Sequence, residues 1–377
     1  MNGEMSGLKV WVRGIVQGVG FRPFVFNLAE SLDIKGWVKN TSSGVEIEAM
    51  GEPEALRRFV ETIRLNPPAL ARIDDLRTEP IPSNGYATFE IHESQPQAGA
   101  FLPVSPDVAI CPDCQRELFT PADRRYRYPF INCTNCGPRF SIILDIPYDR
   151  PNTSMGSFKL CPACQADYEN PRDRRFHAQP VACPVCGPHL WLEAQGEKLA
   201  EREDALQSAR EMLKNGKILA IKGLGGYHLA CDASSPTAVA ELRRRKKRSD
   251  KAFALMAFDL ETIRKHCLVS DEEARLITAH TAPVVLLNRR AESTVAAEAA
   301  PGQATLGFML PYTPLHLLLT ELAPGFPEVL VMTSGNLSEE PIAYQDNDAR
   351  QRLGELADAF LLHDRPIHMR VDDSVAR

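Results

Sequence analysis

The chain has 377 residues, 44% hydrophobic and 24% charged, with a formal net charge of −6; at about 150 residues per domain this length calls for two or three units. The composition excludes wholesale disorder, a collagen-like chain and a coiled coil. No run approaches the ~18 uninterrupted apolar residues of a membrane-spanning helix, the start MNGEMSGLKV has no apolar h-region, and the acidic balance argues against a nucleic-acid coat, so the chain reads as cytoplasmic with no membrane partner.

In chain order, LKVWVRGIV (8–16) alternates with Leu8, Val10 and Val12 on one face, which predicts a strand. The glycine-rich turn QGVGFRPF follows, and the spacing of Phe24, Phe26, Leu28, Ala29 and Leu32 predicts a helix from Pro23, whose missing N–H costs nothing at a first helical position. GWVKNTSSGVEIEAMG reads as a hairpin around Thr41–Gly44, Pro53 to Ile63 as a second helix, and Thr88–His92 as a last strand. The expectation is a ferredoxin-like βαββαβ domain over residues 1–93. Residues 94–103 read as a linker.

A cysteine-rich stretch occupies residues 104–192. Its pairs Cys111/Cys114, Cys133/Cys136, Cys161/Cys164 and Cys183/Cys186 are C-x2-C knuckles, and adding 50 to the first four positions gives the second four. CPDCQ echoes CPACQ, and CGP recurs at 136–138 and 186–188. Both halves have the C-x2-C-x18-C-x2-C spacing of four-thiolate zinc sites, so two structural Zn2+ ions are expected, closed to substrate and without chemistry of their own. The knuckles can share an ion within each half or across halves. A redox pair is the alternative, but it expects a single C-x-x-C at a helix start. RRYRYPF (124–130) interleaves arginines with aromatics as a nucleic-acid surface does, or else packs on a small domain with little core; the acidic total favours packing. Cys231 and Cys267 fall outside the pattern and read as buried thiols.

From about residue 193 helical and strand patterns alternate: helices at Asp204–Lys214 and Ala238–Arg245, strands at Ile218–Ile221, Phe253–Phe258, Pro283–Leu287 and Val329–Met332. This predicts a mixed α/β domain over 193–377. The closing HMRVDDSVAR shows no final element, as in a piece of something longer.

Two places carry chemistry. A glycine-rich turn feeding a helix N-terminus aims several N–H groups at one point, which suits an oxyanion, and Arg22 adds a planar fork to Gln17, Gly18, Val19, Gly20 and Phe21. GIVQGVGFRPF together with GWVKNTSSG resembles the acylphosphatase signature over about residues 8–92. The resemblance implies that Arg22 binds phosphate and Asn40 orients the attacking water; without it, Asn40 reads as a hairpin residue. In the last domain, AIKGLGGYHLACDA, ELRRRKKRSDK and MTSGNLSEEP place cations and hydroxyls after strands, as a triphosphate site requires, with no P-loop string. By itself RRRKKR reads as a solvated helix face.

This last domain resembles the YrdC-like family, whose K-x-R and S-x-N pairs fall on Lys246, Arg248, Ser334 and Asn336. The resemblance implies binding of ATP with Mg2+, with Lys251 as a further phosphate cation, Lys222 and His228 lining a carbamate site, and Arg370 and Asp372 facing the nucleotide; His228 reads equally as a core histidine. The whole order of parts resembles the HypF family of carbamoyltransferases, which help make the cyanide ligands of [NiFe] hydrogenases. That resemblance implies hydrolysis of carbamoyl phosphate, enclosed passage of carbamate, ATP-dependent formation of carbamoyl-adenylate, and delivery to the C-terminal cysteine of HypE by a further domain that the chain lacks. Two other readings stand beside it: a threonylcarbamoyl-adenylate enzyme of tRNA modification, and a non-catalytic zinc scaffold.

Overall fold

The computed structural model describes residues 5–95, 103–338 and 340–377, so most of the expected linker lies outside the described residues. The chain divides into two compact units, Met1–Asp107 with Asn132–Ala182, and Val108–Ile131 with Cys183–Arg377. No helix among the described residues is long and apolar enough to cross a membrane.

In the first unit, β1 (Ser6–Ile15), α1 (Phe21–Ser31), β2 (Lys35–Thr41), β3 (Gly44–Gly51), α2 (Pro53–Leu65), β4 (Arg72–Ile81) and β5 (Phe89–Ile91) form a sheet in the order β4-β1-β3-β2-β5. The first six elements make the expected βαββαβ plan, with one correction. Its closing strand is β4, antiparallel to β1, whereas the predicted Thr88–His92 is the short β5, parallel to β2 at the other edge. RIDDLRTEPI is mostly exposed, charged and carries Pro80, as an edge strand does, so no apolar alternation announces it.

Alternation does place Val10, Val12, Val38 and Ile47 in the core, where Val25 and Ala29 of α1 and Leu56, Phe59 and Ile63 of α2 meet them. Helix α1 begins at Phe21, two residues before the expected start. Gly20 turns the chain in the left-handed region at φ 73°, and Pro23 falls in the first turn, whose N–H groups have no intrahelical partner in any case. Gly44 closes the β2–β3 hairpin at φ 144°, and a Cβ there would stand 2.2 Å from the Val12 carbonyl oxygen.

The second unit is built on a mixed eleven-stranded sheet. Its spatial order is Cys267–Leu268, Val284–Arg289, Thr305–Met309, Ala254–Ala257, Val329–Ser334, Tyr227–Asp232, Leu219–Lys222, Ala359–His363, Leu190–Ala194 and Glu197–Glu201, with Val375–Ala376 beside Val284–Val285. The last residues therefore do pair, although sequence showed no element there. Leu229, Cys231, Leu255, Phe308, Val331 and Leu362 fill the core with Leu242 of the helix Pro236–Lys246, which Ser235 caps through Ala238 N. Cys231 and Cys267 are fully buried; burial pushes both thiols up, Cys267 to about 12.

The duplication persists in backbone detail. Helices Pro112–Leu118 and Pro162–Glu169 each follow a cysteine with proline at the first helical position. Arg127 and His177, fifty residues apart, both lie in the left-handed region, at φ 54° and 53°. Their amides bond Leu118 O and Tyr168 O at 2.8 and 2.9 Å.

Candidate functional site

Because α1 starts at the glycine turn and packs against β2, Arg22 and Asn40 meet although 18 positions separate them. Both are buried, 8% and 1% exposed. With the Asn40 amide turned so that its oxygen faces the guanidinium, it accepts from Arg22 Nη2 and Nε, each at 3.2 Å. Arg22 also donates to Asp149 Oδ1 at 2.8 Å, Ser94 Oγ at 3.3 Å and Tyr148 O at 3.4 Å. The Gln17 side chain fixes the turn against the hairpin, donating to Thr41 O at 2.7 Å and Gly44 O at 3.0 Å while accepting from Tyr148 N at 2.9 Å. Gln17, Gly18, Gly20, Phe21, Arg22 and Asn40 line one pocket. Val19 packs into the apolar core instead.

Besides Val16 and Pro23, the rest of that pocket comes from residues the sequence reading missed, Thr134, Arg139, Tyr148 and the stretch His177–Pro180, all within the same unit. Arg139 is 1% exposed and ties loop to knuckle, donating to Gly18 O at 2.5 Å, Cys136 O at 3.0 Å and Thr134 O at 3.0 Å. His177 packs between Phe176 and Tyr168, ring centroids 4.6 and 5.0 Å away. Burial, and secondarily Arg22, pushes its imidazole down to about 4, so it is neutral at pH 7. The one available signal was positional: Arg139 follows CGP just as His189 follows it in the repeat.

The eight knuckle cysteines gather as Cys111, Cys114, Cys133 and Cys136, and as Cys161, Cys164, Cys183 and Cys186; within each set the Sγ atoms lie within 4.8 Å of one another. The Sγ atoms of Cys133 and Cys136 are 3.9 Å apart, those of Cys183 and Cys186 3.8 Å. Tetrahedral zinc with Zn–S bonds near 2.3 Å separates its sulfurs by about 3.8 Å, so each set fits one zinc ion with no position left for substrate. The sharing left open by sequence is within halves.

In the second unit Lys246, Ser334 and Asn336 converge. The Lys246 ammonium, fully buried, donates to Ser334 O at 2.6 Å, Asn336 O at 2.5 Å and Asn336 Oδ1 at 2.6 Å, and Ser334 Oγ donates to the same Oδ1 at 2.9 Å. Gly335 between them allows the close approach: a Cβ there would stand 2.6 Å from Tyr227 O. Arg248 turns onto its own loop through Lys251 O and Ala252 O, while Lys251 is exposed. Lys222, 3% exposed, pairs with Asp346 at 2.6 Å and donates to His363 O at 2.9 Å. His228 Nε2 meets Tyr312 Oη at 3.0 Å, and its ring stands edge-on to that of His316. Arg370 and Asp372 are exposed on the last segment; Arg370 has no hydrogen bond or ion pair among the described residues.

A sheet-and-helix pocket with paired arginine and asparagine, joined to four-cysteine fingers and a large mixed sheet, defines a multidomain protein of the acylphosphatase and Sua5/YrdC class. Residues 8–91 match the acylphosphatase family model, 110–143 and 160–193 the HypF finger, and 211–377 the Sua5, YciO and YrdC model described as telomere recombination. The acylphosphatase of Thermotoga petrophila is 46% identical over 88 residues, 23% of this chain and 97% of that protein. Carbamoyltransferase HypF2 of Cupriavidus necator is 50% identical over 387 residues, covering 98% of this chain and 48% of the relative. A crystal structure of full-length HypF in the phosphate- and nucleotide-bound form superposes with a TM-score of 0.94 at 50% identity, over 100% of this chain and 49% of that one. The chain belongs to the HypF carbamoyltransferase family and spans about half the length of the curated relatives it matches.

Proposed function

We propose that the chain hydrolyses carbamoyl phosphate in the first unit and uses ATP to convert the carbamate into carbamoyl-adenylate in the second. The observation that carries this reading is the contact between Arg22 and Asn40 in a pocket rimmed by the glycine turn. An acyl phosphate is already activated and needs mainly charge neutralisation and a placed water. The phosphoryl oxygens sit on Arg22 and the amides of residues 17–21 at the positive end of α1. Asn40, its oxygen engaged by Arg22, keeps its Nδ2 to hold the water that attacks phosphorus. The bond from phosphorus to the acyl oxygen breaks, and carbamate leaves as an anion that needs no proton.

A carbamate oxygen then attacks the ATP α-phosphorus and pyrophosphate leaves. Lys246, Arg248 and Lys251 supply positive charge there, with Mg2+; Ser334 and Asn336 fix the nucleotide, Lys222 and His228 border the carbamate, and Arg370 and Asp372 face the nucleotide from the last segment. The two zinc ions hold the knuckles and take no part in the chemistry. In function the parts are the acylphosphatase-like residues 1–93, the fingers 104–192 and the nucleotide-binding residues 193–377. The carbamoyl group's acceptor is the C-terminal thiol of HypE in the cytoplasm, and the likeness to HypF relatives supports this.

The test is phosphate and pyrophosphate release from carbamoyl phosphate, with and without ATP. Phosphate release alone without ATP, and pyrophosphate release with it, is the expected result. Arg22→Ala abolishes the first and leaves ATP binding intact. Pyrophosphate release with threonine and bicarbonate but not with carbamoyl phosphate overturns the reading.

A further inference from the structure

Arg22 is held by a residue that no motif of the phosphate loop contains. Asp149 lies 127 positions further along the chain, and its carboxylate takes the shortest hydrogen bond made by the guanidinium, 2.8 Å from Nη2. The remaining contacts divide the fork: Asn40 on the Nε and Nη2 side, Tyr148 O more weakly on Nη2, and Ser94 on Nη1. The adjoining residue Tyr148 lines the pocket, whereas Asp149 is not among the described residues that do. The carboxylate therefore grips Arg22 from outside the pocket lining.

From this geometry we infer that Asp149 is a positioning residue, which fixes the guanidinium plane for phosphate without touching it. The inference rests on the reading of the pocket as an acyl-phosphate site. An arginine stem has many rotamers, and a fork binds two phosphate oxygens only when it is coplanar with them; an anchor that orders the fork beforehand removes that cost from the reaction. Asp149 also places a negative charge beside a site for an anion, so it favours orientation at the expense of affinity. Removing it therefore lowers turnover while phosphate binding holds or tightens.

The experiment compares Asp149→Ala and Asp149→Asn in the zinc-loaded chain by steady-state hydrolysis of carbamoyl phosphate and by competitive inhibition with inorganic phosphate. For Asp149→Ala, kcat falls about 10- to 100-fold with KM unchanged or lower. Asp149→Asn keeps an acceptor oxygen and loses the charge, so its kcat lies between, and the inhibition constant of phosphate falls about two- to fivefold. An unchanged kcat in the alanine variant overturns the inference. So does a rise in kcat/KM, which would make Asp149 a latch, or a parallel rise of KM and of the phosphate constant, which would make it only structural. Should the alanine variant lose zinc or its circular dichroism, the asparagine variant decides alone: unchanged kcat with an unchanged phosphate constant overturns the proposal. A parent chain that hydrolyses no acyl phosphate overturns the reading of the pocket instead.

Discussion

Replacing Arg139 by methionine keeps an unbranched stem in a fully enclosed site and removes every donor. Besides its bonds to Gly18, Cys136 and Thr134, Arg139 donates to Pro138 O at 2.8 Å and more weakly to Cys133 O at 3.4 Å. A buried carbonyl left without a donor costs about 1–3 kcal/mol, and the four shorter bonds, taken at the low end because each carbonyl keeps a second lone pair, amount to about 3–5 kcal/mol. In a unit of 150–250 residues each kcal/mol moves the melting midpoint by about 2–4 °C, so the midpoint should fall by about 6–20 °C. Differential scanning calorimetry of the zinc-loaded chain measures this. Phosphate release should fall as well, since the Gly18 carbonyl belongs to the loop itself. A midpoint within about 2 °C of the parent, with hydrolysis intact, would refute the reasoning.

The His177 imidazole, ordinarily titrating near 6.5 and pushed down to about 4, refuses a proton that the unfolded chain accepts. Its contribution to stability is complete above pH 6.5 and lost as pH falls towards 4; between pH 7 and 5.5 the loss is about 1.2 kcal/mol. His177→Asn should flatten the dependence by that amount in denaturant melts, and an identical slope in both proteins would contradict it. Lys246→Met strips three acceptors of their donor at a cost of about 2–4 kcal/mol. Calorimetric titration should show ATP binding weakened more than about tenfold, with phosphate release from carbamoyl phosphate unaltered. The chain should carry two zinc equivalents by atomic emission, with its knuckle thiols unreactive to a thiol reagent until a chelator is added; early reactivity of all eight would contradict closed four-thiolate sites.

Local chemistry was legible in the residues themselves. A C-x2-C knuckle fixes two thiolates within a few bonds of each other, and the repeat at 50 marks a duplicated unit. The glycine turn before Arg22 reads as an anion loop because its N–H groups belong to consecutive residues, and the core faces of β1 and α2 follow from periods of two and 3.6. Asn40 came with a motif rather than a contact. Strand β4 left no such mark, since its stability comes from the ladder with β1 rather than from an apolar face.

Tertiary structure alone decided which charges meet. Asp149 and His177 lie more than a hundred positions from Arg22, and Arg139 as far from Gly18, so no window of sequence holds both partners. Among the cations of RRRKKR and the residues after it, Lys246 became a buried brace for Ser334 and Asn336 while Arg248 folded back on its own loop. Sequence sets what each segment can do over a few residues, through sterics, periodicity and short-range bonding. Which distant groups become neighbours is settled only when the whole chain closes, because that choice is the sum of many weak contacts, none of them encoded where its partner stands.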